Sequence, residues 1–163
     1  MGAFSNLGEY SDYQTISADA ASTSTVDHSA PVNLNQYGVS GRLWLCIRTA
    51  LAPTAASLDS LSIAFQMDAD DGAGDPAGTW YTLFMPLCLA EGGEVVQDDS
   101  RLATAGAWIW RAPLPMEVIE RHTRLYYENT TSVGTFTNSA WLNDGPPQSD
   151  FDKQIYVSPV GNP

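Results

Sequence analysis

Apolar and polar residues alternate with a period of two along most of the chain. In LSIAFQM, residues 61–67, Leu61, Ile63, Phe65 and Met67 fall on one side and Ser62, Ala64 and Gln66 on the other. That is the pattern of a strand with one buried face. RLWLCIRT (42–49) and TWYTLFMPLCL (79–89) are apolar on both sides, which predicts strands covered on two faces. Pro86 has no N–H to give a ladder, so its strand must lie at a sheet edge or carry a bulge there. AWIWRA (107–112) sets Trp108 and Trp110 on one face. RLYYENT and the run from Thr135 to Leu142 read as the two arms of a hairpin, with Gly134 available for a positive φ near the turn.

Shorter strands are predicted around Tyr13–Ser17, Thr23–Asp27, Glu94–Gln97 and Lys153–Ser158. Roughly eight or nine short strands, separated by turn signals such as DADDGAGDPAG and NDGPP, predict an all-β fold, a sandwich or barrel of antiparallel strands. PMEVIERHT (115–123) is the one helical candidate, and its prolines and the adjoining strand leave room for a single turn. Residues 1–9 and 144–163 read as arms on either side of a domain spanning 10–143. The second arm carries Phe151, Ile155, Tyr156 and Val157, apolar enough to seek burial on the same subunit or on a neighbour.

The length of 163 residues fits one domain, and 44% hydrophobic with 16% charged residues is the composition of a globular chain. Seven Lys plus Arg against nineteen Asp plus Glu give a net charge of -12, and the basic residues are scattered singly. The mean field therefore repels phosphate, and nucleic acid is an unsuitable partner. MGAFSNLGEYSDYQ has neither the basic nor the apolar region of a leader, and no apolar run is long enough to span a bilayer, so the expectation is no membrane. Cys46 and Cys88 lie inside apolar runs and are expected as buried free thiols of a reducing cytoplasm.

Candidate chemistry is sparse. Asp68, Asp70, Asp71 and Asp75 in DADDGAGD form the best metal candidate, yet Gly72 stands at the fifth loop position and Thr79 at the twelfth, where an EF-hand needs ligands. The same residues suit a solvated turn. The two histidines, His28 and His122, have no partner at metal-ligand spacing, and each reads as an ordinary surface or loop residue. GVSGR (38–42) misses the second glycine of a nucleophile elbow. Carboxylate pairs could be drawn from Glu91, Glu94, Glu117, Glu120 and Glu128, as in any acidic protein. No metal, no cofactor and no enzymatic activity are therefore expected. Five tryptophans and seven tyrosines are a large aromatic supply, of which at least half is expected to fill the core, and exposed aromatics on a β domain serve either sugar stacking or protein contact.

The order of three segments resembles the jelly-roll capsid cement, or decoration, proteins of tailed bacteriophages, the group typified by a Bordetella phage cement protein. These segments are YSDYQTISADAASTSTVD (10–27), RLWLCIRTAL (42–51) followed by LDSLSIAFQMDADD (58–71), and PLPMEVIERHTRLYYENTTSVGTFTNSAWL (113–142). The chain departs from the family pattern between Glu91 and Trp110 and after Gly145. The resemblance implies a single antiparallel jelly-roll β-sandwich with extended N- and C-terminal arms. It implies a virion protein, made in the host bacterial cytoplasm, that sits on the outer capsid surface over junctions of the major capsid protein as a homo-oligomer, dimer or trimer. Trp108, Trp110, Phe151 and Tyr156, apolar and in or beside the divergent stretches, are the expected interface anchors. The alternatives are a carbohydrate-binding jelly roll, with or without calcium at the Asp-rich loop, and a small hydrolase or glycosidase using scattered carboxylates.

Overall fold

The computed structural model describes residues 8–28, 43–51, 61–88, 104–115, 118–129 and 135–144. Among them run nine strands: β1 (Glu9–Ile16), β2 (Ala20–Ala21), β3 (Val26–Asp27), β4 (Leu43–Leu51), β5 (Leu61–Asp68), β6 (Tyr81–Cys88), β7 (Trp108–Pro113), β8 (His122–Asn129) and β9 (Phe136–Asp144). The strands predicted at Glu94–Gln97 and Lys153–Ser158 lie outside the described residues, as do residues 1–7 and 145–163 of the predicted arms. At the ends that are described, the sandwich reaches further than the sequence suggests: β1 begins at Glu9, and Asp144 still pairs with Leu43.

The strands form two antiparallel sheets, ordered β1-β9-β4-β7 and β2-β8-β5-β6, with β3 also on β8. β2 and β3 behave as one interrupted strand, bridged where Ser22 donates its N–H to the Leu125 carbonyl and accepts the Leu125 N–H on its hydroxyl. The pairs β1·β9, β2/β3·β8, β4·β7 and β5·β6 then nest one inside the next along the chain. A long antiparallel ribbon has rolled up until β4 meets β9 and β5 meets β8, which is the jelly-roll arrangement.

Alternation decides what fills the space between the sheets. Leu43, Leu45 and Ile47 of β4, Leu61, Ile63 and Phe65 of β5, and Leu125 and Tyr127 of β8 all point inward and are sealed from solvent. Each large buried side chain contributes about 2 kcal/mol. Phe65 sits at the centre, edge-on to Tyr10 at 6.0 Å and stacked on Phe84 at 5.0 Å. Two polar ties cross this core: the Tyr127 hydroxyl donates to Asn138 Oδ1 at 2.9 Å and also meets the Ser11 hydroxyl, while the Tyr10 hydroxyl meets that of Thr123 at 2.7 Å. Burial raises both phenols above their usual pKa, so both act as neutral hydrogen-bonding groups.

Three strand-level expectations change. First, β8 and β9 do not form a hairpin; they lie in opposite sheets and face each other across the core. Their apolar alternation fixes which side is buried but not which strand lies beside it. Second, β6 is an edge strand, leaving Tyr81 and Met85 exposed, whereas coverage on two faces was predicted. The ladder irregularity between Phe84 and Leu87 accommodates Pro86, as its missing N–H requires. Third, a bulge splits the tryptophans of β7: Ile47 pairs with Trp110 but Arg48 with Trp108, so Ile109 is an extra residue. Trp110 consequently packs toward the core, and Trp108 lies on the outer face of its sheet. The helical candidate is a single turn closed by Val118 N–H to the Pro115 carbonyl.

Candidate functional site

Among the described residues, an ionisable cluster gathers at one end of the sandwich, where β3, the start of β8 and the Asp-rich turn meet. Arg121 grips both carboxylate oxygens of Asp27 through Nε and Nη2 at 3.0 Å each, and its Nη1 reaches Asp70. This fork is the geometry a guanidinium offers a carboxylate, and the bond to Asp27 raises the Arg121 pKa further. His28 and His122, expected as separate loop or surface residues, converge here instead. The register of β3 on β8 pairs Asp27 with His122 and so delivers His28 alongside. His28 is half-buried, with Nε2 at 2.7 Å from the Thr123 hydroxyl; burial, reinforced by His122 and opposed by Asp27, lowers its pKa to about 4. His122 is buried, its Nε2 3.6 Å from Asp70 and just beyond hydrogen-bonding reach. The contacts pin the interrupted strand and the turn onto β8, and the hydroxyl that meets the His28 imidazole, that of Thr123, is buried and shared with the Tyr10 phenol.

The Asp-rich turn consumes its own carboxylates. Asp70 accepts the Gly72 N–H, Asp71 accepts those of Ala73 and Asp75, and Asp68 accepts that of Gly78. Gly72 and Gly78 hold positive φ angles with open space around them, the turn chemistry the sequence implies. The N–H bonds hold Asp71 below the usual carboxylate range. Among the described residues, no group of three or more His, Cys, Asp or Glu side chains is placed to hold a metal ion. The free cysteines are also apart, Cys46 buried on β4 and Cys88 half-buried on β6 of the other sheet.

Of the four expected anchors, Phe151 and Tyr156 lie outside the described residues. Trp110 stacks on Phe84 at 5.6 Å and belongs to the seam between the β6 and β7 edges. Trp108 is half-buried on the outer face, 5.7 Å from Trp141, with the guanidinium carbons of Arg48 and Arg111 at 5.8 and 5.9 Å from its ring centre. Trp141 pairs with Cys46 and Trp108 with Arg48, two positions apart on β4, so the indoles meet across its outer face. Arg48 also donates Nε–H to the Gly106 carbonyl, passing so close that a side chain at Gly106 would collide with it.

A second outward cluster escaped the sequence reading. On the outer face of the other sheet, the Arg124 guanidinium lies 4.1 Å from the centre of the Trp80 ring and 5.4 Å from that of Tyr126. Its Nε–H donates to Gln66 at 2.9 Å, and Gln66 in turn reaches Thr82. Arg124 and Tyr126 are two residues apart on β8, so their shared face was readable from the strand; the approach of Trp80 from the chain before β6 was not.

The cluster around Arg121 therefore has a fold-holding geometry, while the aromatic and guanidinium groups are turned outward on both sheets, where they can make contacts. No protein-family model matches the sequence, and a search of curated proteins finds no significant match. No helix among the described residues is long and apolar enough to cross a membrane.

Proposed function

We propose that the chain is a non-catalytic virion protein, a capsid cement protein that binds the outside of a phage capsid and stabilises junctions of the major capsid protein. A jelly roll hosts many functions, so the fold alone does not carry this reading. The outward display of Trp108 with Arg48 and Arg111, and of Trp80 and Tyr126 with Arg124, carries it. Trp, Tyr and Arg are the residues that dominate protein contacts. The resemblance of segments 10–27, 42–51 with 58–71, and 113–142 to phage cement proteins supports the specific role. Several modest contacts, multiplied by joining copies in one homo-oligomer, suit a protein that must hold neighbouring shell subunits together.

The carbohydrate-binding reading draws on the same aromatic residues, but on the outer face beside β6 the Arg124 guanidinium already covers one face of Trp80, where a sugar ring would stack. The test of the cement reading is co-sedimentation of the purified chain with shells assembled without it. Saturable binding that raises the temperature of shell disruption supports the reading; failure to co-sediment at any concentration overturns it.

A further inference from the structure

Arg124 has an unusual setting for a cation on a chain of net charge -12. It is half-buried against two aromatic rings, and its one hydrogen bond is from Nε to Gln66. Among the described residues no carboxylate lies within ion-pairing distance of it, and the nearby acids are engaged elsewhere: Glu128 accepts the Ser62 hydroxyl and Asp68 the Gly78 N–H. Among the described residues, no hydrogen-bond acceptor engages the two Nη groups. Burial lowers the pKa of this arginine, opposed in part by Tyr126 and Asp68. The other arginine held by side chains on the same strand region, Arg121, has two in-chain carboxylates.

We propose that the Trp80–Arg124–Tyr126 cluster is a receptor for a carboxylate side chain on an acidic segment of a partner protein. The inference rests on the docking role above and adds the chemistry of the contact. The rings hold the guanidinium plane and Gln66 holds its inner edge, so the outward pair of nitrogens is organised before a partner arrives. A fork of parallel N–H donors matches a carboxylate and no neutral group as well. Trp80 and Tyr126 then pack around the aliphatic stem of the incoming Asp or Glu and keep water from the ion pair. A neutral sugar needs the ring face the guanidinium occupies.

The test uses the full chain labelled with nitrogen-15 and two short peptides, one rich in Glu and its counterpart with Gln at every Glu. The Glu peptide should shift the Trp80 indole and Arg124 Nε signals saturably, with the Gln peptide binding at least tenfold more weakly. Arg124→Gln should abolish the response, and Arg124→Lys should weaken it several-fold, because charge without the fork is insufficient. Trp80→Leu, which leaves the guanidinium in place, should also weaken it and serves as a check independent of any loss of folding in the arginine variants. Equal binding of both peptides, or the same shifts produced by a neutral or acidic oligosaccharide and not by the Glu peptide, overturns the proposal. A failed peptide titration beside intact shell co-sedimentation removes this contact and leaves the cement role standing; the converse result removes the cement role alone.

Discussion

Acidification is expected to loosen the sandwich before its carboxylates titrate, through His28. Its ring is packed against Thr123 with Asp27 and His122 facing it, and burial holds its pKa at about 4, against 6.5 for the free side chain. The unfolded chain therefore binds the proton more readily across that interval, so stability is full above 6.5 and falls as the pH drops towards 4. The difference between the two pKa values corresponds to about 3 kcal/mol in total, of which about 2 kcal/mol is gone by about pH 5. Urea denaturation of the wild type and of His28→Gln at about pH 7 and about pH 5 isolates this contribution. Gln keeps a group able to reach Thr123 but has nothing to protonate. The wild type should lose about 2 kcal/mol more than the variant over this interval. Equal losses in the two proteins would refute the assignment of His28 as a buried neutral imidazole.

Four further outcomes follow from the packing. Phe65→Ala, at the centre of the core between Tyr10 and Phe84, should cost about 3–5 kcal/mol in urea denaturation; a cost below about 1 kcal/mol would mean the site collapses freely. Tyr127→Phe strips Ser11 and Asn138 of their shared partner and should destabilise by about 1–3 kcal/mol. A chelator should leave the melting temperature unchanged, because the Asp-rich turn is closed by its own N–H groups; a drop of several degrees would restore the calcium reading. Trp108→Ala should reduce shell occupancy with the melting temperature little changed, whereas Trp110→Ala should lower the melting temperature through the lost Phe84 stack, and the reverse assignment would contradict the placement of the two rings.

Much of the fold was legible in the sequence because β5 and β4 are interior strands, where burial writes itself into residue choice. Leu61, Ile63 and Phe65 of β5 point into the core as their alternation predicts, although Ser62 and Ala64 on its other face are buried as well, and β4 carries apolar residues on both sides since its outer face holds Trp44 and Cys46, the latter beside Trp141. Pro86 announced an edge or a bulge and the structure has both. Partnership between strands was not legible: the run from Arg124 to Leu142 reads as a hairpin, yet its halves face each other across the core. The single extra residue at Ile109 defeated the parity argument for Trp108 and Trp110, since one inserted position turns every later side chain over. The meeting of His28 with His122 depends on the β3–β8 register, a long-range property that no spacing of two histidines reveals. Arg124 and Tyr126 could be placed together from β8 alone, while Trp80 required the fold.

The central claim is that this jelly roll acts by surface contact on an assembled shell. Under the proposed cement role the chain is phage-encoded, and cryo-electron microscopy of purified particles of that phage tests the claim most directly. The account predicts two packed antiparallel sheets of density on the outer surface over junctions of the major capsid protein, repeated with the symmetry of the shell. Particles of full infectivity that carry neither that density nor the chain itself would contradict it.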